Sequence, residues 1–265
     1  MLSMKLIQKA RGFLFDLDGV FVQSGKPLHG AIESLEVLRS LNIPFRFLTN
    51  TTTKSRMTLQ NTLNSIGINC EEGEIFSAGF SGVQAIKAMG SPKCIFYITD
   101  DLKKDYSGFQ EDITNPDVIV IGDYESWNFE KIDHAFRCVM KGAKILALHM
   151  GKYFRVDSGL RIDAGAFVAA LEFATNKKAK IVGKPNKEFF NSALNDMGFG
   201  PKEVVMFGDD LINDISGAQE LDIPGILVKT GKYHEGMLES SSIIPNGFLE
   251  SIAELPKIIS NGEQL

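Results

Sequence analysis

Two aspartates one residue apart, Asp16 and Asp18, close the apolar run of "RGFLFDLDGV". Carboxylates are among the costliest groups to bury unless they are paired or bound to a cation. Either the chain simply surfaces here, or delivering these carboxylates is what the strand is for. On a strand, residues i and i+2 point to the same side. Two such anions roughly 4 Å apart repel by about 4 kcal/mol at an effective dielectric near 20, a penalty that a divalent cation removes. Asp209, Asp210 and Asp214 in "GDDLINDISGAQ" bring further oxygens. A hard-oxygen site without a His or Cys cluster suits Mg²⁺ better than zinc.

A magnesium ion between carboxylates, opposite hydroxyl, amide and ammonium donors, describes a phosphoryl site. Asp16 has the chemistry of a covalent nucleophile. Asp18 could protonate the leaving oxygen and later activate water. Thr49, Asn50 and Lys184 could hold the non-bridging oxygens, and Gly19 and Gly208 would let the backbone approach closely. Each signal has a plainer reading on its own. A lone D-x-D is a solvated turn, Thr49-Asn50 a helix cap, Gly183-Lys184-Pro185 a loop with a surface lysine, and Asp209-Asp210 an exposed turn. Their joint occurrence, each closing an apolar strand, favours the site.

The elements that must position these residues alternate along the chain. Ile32, Leu35, Leu38 and Leu41 predict a helix, followed by the strand "IPFRFL". "TNTTTKS" can cap a second helix carrying Leu59, Leu63 and Ile66, with Gly67 as its stop. Further apolar strands are "KCIFYIT", "DVIVIG", "KILALH", "KIVGKP", "EVVMFGDD" and "GILVKT". Fully apolar strands separated by helices predict parallel sheets in an α/β fold. Were the strands ending in Asp16, Thr49, Lys184 and Asp209 parallel neighbours, those residues would share the carboxyl rim, where open α/β sheets bind ligands. Residues 1–80 and 181–265 then form a discontinuous catalytic core, and 81–180 an inserted second domain.

Bulk properties exclude other classes. The 265 residues are 44% hydrophobic, enough for a substantial core, and the net charge of −5 is mixed along the chain. No basic face invites nucleic acid. Cys70, Cys94 and Cys138 lack metal-ligand spacing and read as reduced thiols. The apolar run after Arg11 is broken by Asp16 and Asp18, so no secretory or membrane segment is expected there, and the reading is a soluble cytoplasmic protein. No dinucleotide or P-loop glycine motif occurs.

In order, "DLDGV", "TN", "GKP" and "GDD…ND" resemble the four motifs of the haloacid dehalogenase superfamily. "FLTNTTTKS" resembles NagD-like phosphatases with a large cap. "IVGKPNKEFFNSAL", "GDDLINDISGAQ" and "GILVKTGKY" are similar to the phospholysine phosphohistidine inorganic pyrophosphate phosphatase branch. The resemblance implies a Rossmann-like parallel-sheet core, an inserted α/β cap at 81–180, Mg²⁺ dependence and an aspartyl-phosphate intermediate. It makes Asp16 the nucleophile and a metal ligand, and Asp18 the acid–base, lending its backbone carbonyl to the metal. Thr49, Asn50 and Lys184 become phosphate ligands, Asp209 a metal ligand, and Asp214 a support of the metal shell. It assigns Asp210 no definite role. Some relatives carry Ser in place of the second Asp, so the full D-x-D here favours turnover. NagD-like enzymes often dimerise through the cap, which makes a homodimer a candidate.

The implied activity is a phosphatase acting on a small phosphorylated metabolite, with phosphoamide or pyrophosphate substrates open. Alternatives are a silent phosphate-binding or scaffold protein, and a phosphonate or carbon–halogen hydrolase; phosphonate cleavage would need a cap lysine, for which Lys144 and Lys152 are the candidates. Specificity should reside in "LHMGKYFRVDSGLRIDAGAFVAALE", where Tyr153, Phe154 and Arg155 could meet a leaving group or could pack inside the cap. "IDAGAF" stands where relatives often have a Pro-Gly-rich loop. His149 reads as structural, His29 as a helix-start residue and Trp127 as cap packing; His134 and His234 have no argued role.

Overall fold

Uninterrupted apolar runs become strands buried along their whole length, as both faces of a parallel sheet require. The computed structural model describes residues 2–156, 159–239 and 241–260. Strand β1 (Gly12–Asp16) is buried at all five positions. A two-residue hairpin, β2 (Val22–Gln23) and β3 (Lys26–Pro27), follows it, then β4 (Phe45–Thr49) and β5 (Ile75–Ser77). The next strands are β6 (Cys94–Tyr97), β7 (Val118–Ile121), β8 (Lys144–Ala147), β9 (Tyr153–Val156), β10 (Gly159–Ile162) and β11 (Lys180–Ile181). Last come β12 (Val204–Gly208), β13 (Gly225–Val228) and β14 (Gly247–Leu249).

Contacts divide the chain into two compact units. One comprises Met1–Thr49, Gln60–Phe76 and Lys184–Leu265; the other comprises Asn50–Leu59 and Ser77–Gly183. This division departs from 1–80, 81–180 and 181–265 chiefly in that Asn50–Leu59 also joins the middle segment.

The first unit is built on a six-stranded sheet of order β14-β13-β12-β1-β4-β5. β1 pairs in parallel with β12 and with β4, placing Phe15 beside Phe207 and Phe47. Phe13, Phe15, Phe21, Phe45, Phe47 and Phe207 are all fully buried, and Phe15 lies 5.0–6.4 Å, ring centre to ring centre, from the other five. Such tilted and edge-on rings hold the central strands together. The expected helices are present at Ala31–Ser40 and Arg56–Ser65, the second followed by Gly67 at φ +89°.

The second unit carries a four-stranded sheet, β11-β8-β7-β6, whose paired strands are parallel. Successive side chains serve opposite faces. Phe96, Val118 and Val120 enter one apolar cluster, while Ile95, Tyr97, Ile119 and Ile121 enter another. An antiparallel pair, β9 and β10, forms a separate hairpin.

Two expectations need correction. "KIVGKP" is not a neighbour of β1: its strand, β11, pairs with β8 in the four-stranded sheet. Nor do Asp16 and Asp18 share a strand face, because β1 stops at Asp16. Leu17 bends the chain and Asp18 bridges to Val22, leaving Asp16 buried and Asp18 exposed.

Candidate active site

Three adjacent strands end side by side. Asp16 closes β1, Thr49 closes β4, and Asp209 follows the last residue of β12. All three are buried. Parallel pairing aligns these carboxyl ends, so the sheet itself delivers them to one rim.

Lys184 reaches the rim by a different route. Its ammonium donates to Asp16 Oδ1 at 2.6 Å, to Asp214 Oδ1 at 2.7 Å and to the Leu48 carbonyl at 2.8 Å. Three N–H groups meet three acceptors, which is the condition for burying a lysine. Burial works against its charge, but Asp16 and Asp214 outweigh it and raise the pKa above the ordinary lysine range.

The carboxylates remain under-compensated. Oxygens of Asp16, Asp209 and Asp214 lie within 4.8 Å of one another. Burial, with Asp16 and Asp214 nearby, pushes Asp209 up to about 8. Burial also raises Asp214, to about 7, against the pull of Lys184. Asp16 is raised by burial and by Asp18, with Lys184 opposing. Asp209 Oδ1 is buried and has no hydrogen-bond partner among the described residues. Crowded hard oxygens, one of them orphaned, fit a divalent cation. Asp214 is positioned differently: Oδ1 accepts from Lys184 and Oδ2 from the Asp210 amide at 3.1 Å.

Asp210, without a definite role from sequence, is an anchor. It accepts the Ile212 and Asn213 amides at 3.0 and 2.9 Å, capping the widened helical turn Leu211–Ser216 that carries Asp214. Burial opposes its charge, yet Lys232 and the Asn213 donors hold it down at about 2. Lys232 itself escaped the sequence reading. The signal available was its place just past another apolar strand of the same sheet, β13.

Asn50 belongs to the second unit. There its Oδ1 lies 2.6 Å from where a Cβ on Gly183 would stand. A second titratable cluster lies entirely within that unit. Thr52 Oγ1 donates to Asp123 Oδ2 at 2.6 Å and accepts the Asp123 amide at 2.9 Å. His149 Nε2 is 3.4 Å from Thr52 Oγ1 and 3.8 Å from both Asp123 Oδ2 and Asp163 Oδ1. Its Nδ1 accepts the Gly151 amide at 3.1 Å. An amide cannot accept a proton in return, so the neutral ring carries its hydrogen on Nε2. That nitrogen faces Asp123 and Asp163, and the three residues offer atoms within 4.8 Å of one another.

The other candidates are placed plainly. Tyr153 and Phe154 are exposed on β9 and not packed inside. The side chain of Arg155, and Asp157 and Ser158 altogether, lie outside the described residues. Trp127 packs as expected, stacked between Tyr97 and Phe167 with centroids 4.7 and 5.0 Å away. His134 shares a hydrogen bond of 2.9 Å with the Tyr97 hydroxyl, and His29 is exposed just before the first-unit helix Ala31–Ser40.

A parallel α/β core whose strand ends bring a lysine onto clustered aspartates defines a hydrolase of the haloacid dehalogenase type. The family described as haloacid dehalogenase-like hydrolase matches residues 13–110, and that described as HAD-hydrolase-like matches 181–255. The chain belongs to this family. It is 32% identical over 268 residues to the phospholysine phosphohistidine inorganic pyrophosphate phosphatase of Danio rerio, covering 98% of each chain. The 4-nitrophenylphosphatase of Thermotoga maritima superposes with a TM-score of 0.90 at 27% identity, over 96% of this chain and 99% of that one. NagD of E. coli shares the fold, with a TM-score of 0.85 over 93% and 98% at 24% identity. Among the described residues no helix is long and apolar enough to cross a membrane.

Proposed function

We propose that this enzyme is a Mg²⁺-dependent phosphatase that hydrolyses a small phosphorylated metabolite through an aspartyl-phosphate on Asp16. The observation that carries the reading is the Asp16–Lys184 pair, buried beside the orphaned Asp209 oxygen. In this reading residues 1–80 and 181–265 act as catalytic core and 81–180 as cap.

Asp16 attacks phosphorus while Lys184 holds its carboxylate in place and faces the charge that develops. Asp18, entering the step with its carboxyl protonated, gives that proton to the leaving oxygen and is left ionised. It then takes a proton from the water that cleaves the acyl phosphate. Thr49 and Asn50 bind phosphoryl oxygens. The carboxylates of Asp16 and Asp209 and the backbone carbonyl of Asp18 would hold the metal, with Asp214 supporting that shell. When bound, the cation supplies positive charge to the phosphoryl oxygens. The relative's name adds nitrogen-linked phosphate and pyrophosphate to the candidate substrates.

The test is phosphate release from 4-nitrophenyl phosphate with Mg²⁺ and with chelator, beside Asp16→Asn. Release that requires Mg²⁺ and disappears in the variant supports the mechanism. Ordinary turnover by Asp16→Asn overturns it. Should neither protein release phosphate from this probe, beryllofluoride uptake separates the remaining cases. Uptake by wild type alone supports a live nucleophile with a selective cap, and no uptake supports a silent binding protein.

A further inference from the structure

The loop after β13 carries a tripeptide, Thr230-Gly231-Lys232, that makes three contacts in and around the carboxylate cluster. The Thr230 hydroxyl donates to the Gly19 carbonyl, tying the loop to the turn beyond Asp16. The Lys232 amide donates to Asp209 Oδ2 at 2.7 Å. The Lys232 ammonium donates to Asp210 Oδ2 at 2.9 Å, and Asp210 in turn caps the turn bearing Asp214.

The amide contact decides which oxygen Asp209 presents. With Oδ2 engaged, Oδ1 is the one left over, and it is the buried oxygen without a partner. Holding Oδ2 there requires two backbones to close on it. Gly231 has φ +59° and Gly19 φ +91°, and a Cβ on either would stand 2.0 Å from Asp209 Oδ2. A Cβ on Gly231 would also meet Gly19 Cα at 2.5 Å. Glycine is needed at 231 for both conformation and space.

We propose that Thr230-Gly231-Lys232 is a positioning element of the cation site, holding Asp209 so that Oδ1 alone faces the cation. This rests on the divalent-cation reading of the site given above. The brace works through the backbone: any residue but proline at 232 supplies the amide, whereas only glycine at 231 lets it reach Asp209. The Lys232 ammonium acts on Asp210 and is secondary.

The experiment is calorimetric titration of Mg²⁺ into the full chain, without substrate, beside thermal unfolding in chelator. Gly231→Ala should bind Mg²⁺ about tenfold to a hundredfold more weakly, the scale of one lost hydrogen bond to a charged group. Lys232→Met keeps the amide and loses an ion pair whose lysine side chain is largely exposed, so its affinity should stay within about threefold of wild type. Folded Gly231→Ala with wild-type affinity overturns the proposal. So does a Lys232→Met loss as large as that of Gly231→Ala, since charge and not the amide would then be responsible. If Gly231→Ala does not fold, Thr230→Val, which deletes only the tie to Gly19, takes its place. Weaker Mg²⁺ binding by that variant supports the brace and unchanged binding overturns it. Wild-type protein that takes up no Mg²⁺ overturns the cation reading itself, an outcome distinct from a failure of the brace.

Discussion

Lys184 Nζ lies 2.6 Å from Asp16 Oδ1, although the strand that leads to Lys184 pairs in a different sheet from the strand that ends in Asp16. The ion pair therefore joins segments 168 residues apart, and its partners are almost fully buried. A buried pair of this kind adds little net stability over an apolar replacement of both residues, but breaking it from one side is costly.

Lys184→Met should lower stability by about 3–5 kcal/mol, because Asp16 and Asp214 would be left as buried, unpaired carboxylates. Urea unfolding of the chelated variant checks this. Turnover should fall with it, and a variant with undiminished rate would remove Lys184 from the site.

Asp18→Asn should separate chemistry from stability. The side chain is exposed, so the unfolding temperature should barely move. Turnover should drop by roughly 10²–10⁴, the range for a lost general acid–base. Steady-state rates and a thermal melt on the same preparation decide the matter.

Mg²⁺ should stabilise the folded chain by about 2.7 kcal/mol at a hundred times its dissociation constant. Asp209→Asn removes a charge from the cluster and should abolish most of this gain. Melting curves with Mg²⁺ and with chelator, for both proteins, measure it. Equal gains in the two would place the cation elsewhere.

Asp123 in the second unit gives a pH signature independent of the cation. Burial opposes its ionisation, but His149 and the Thr52 hydroxyl hold it at about 2 against an ordinary 3.8. A depressed acid stabilises the fold above the unfolded pKa and loses that contribution as pH falls through the folded one. The difference of nearly two units corresponds to about 2 kcal/mol. Wild type should therefore exceed Asp123→Asn in stability at pH 6, with the gap closing between about pH 4 and pH 2. A gap independent of pH would show that the carboxylate's charge is not what matters there.

How far the residue pattern reached is clearest at the strand ends. Asp16, Thr49 and Asp209 were legible because each follows an apolar run, and parallel pairing sends such ends to one rim whatever the loops do. Lys184 was legible as a rim residue, but for the wrong reason. "KIVGKP" looks like any buried strand, and apolarity does not say which sheet a strand joins. Asp18 was credited with a shared strand face, whereas one bend at Leu17 separates its environment from that of Asp16.

From the sequence alone came the chemical types, their order along the chain and the parallel α/β class, because burial period and side-chain chemistry are local properties. Tertiary structure alone decided the rest. It set β11 in the second sheet, turned Asp210 into a cap and brought the Lys232 amide onto Asp209. It also gave His149 two acidic neighbours drawn from segments separated in the chain. These depend on backbone groups that every residue carries and on contacts between distant segments. Neither leaves a mark in the type or spacing of residues.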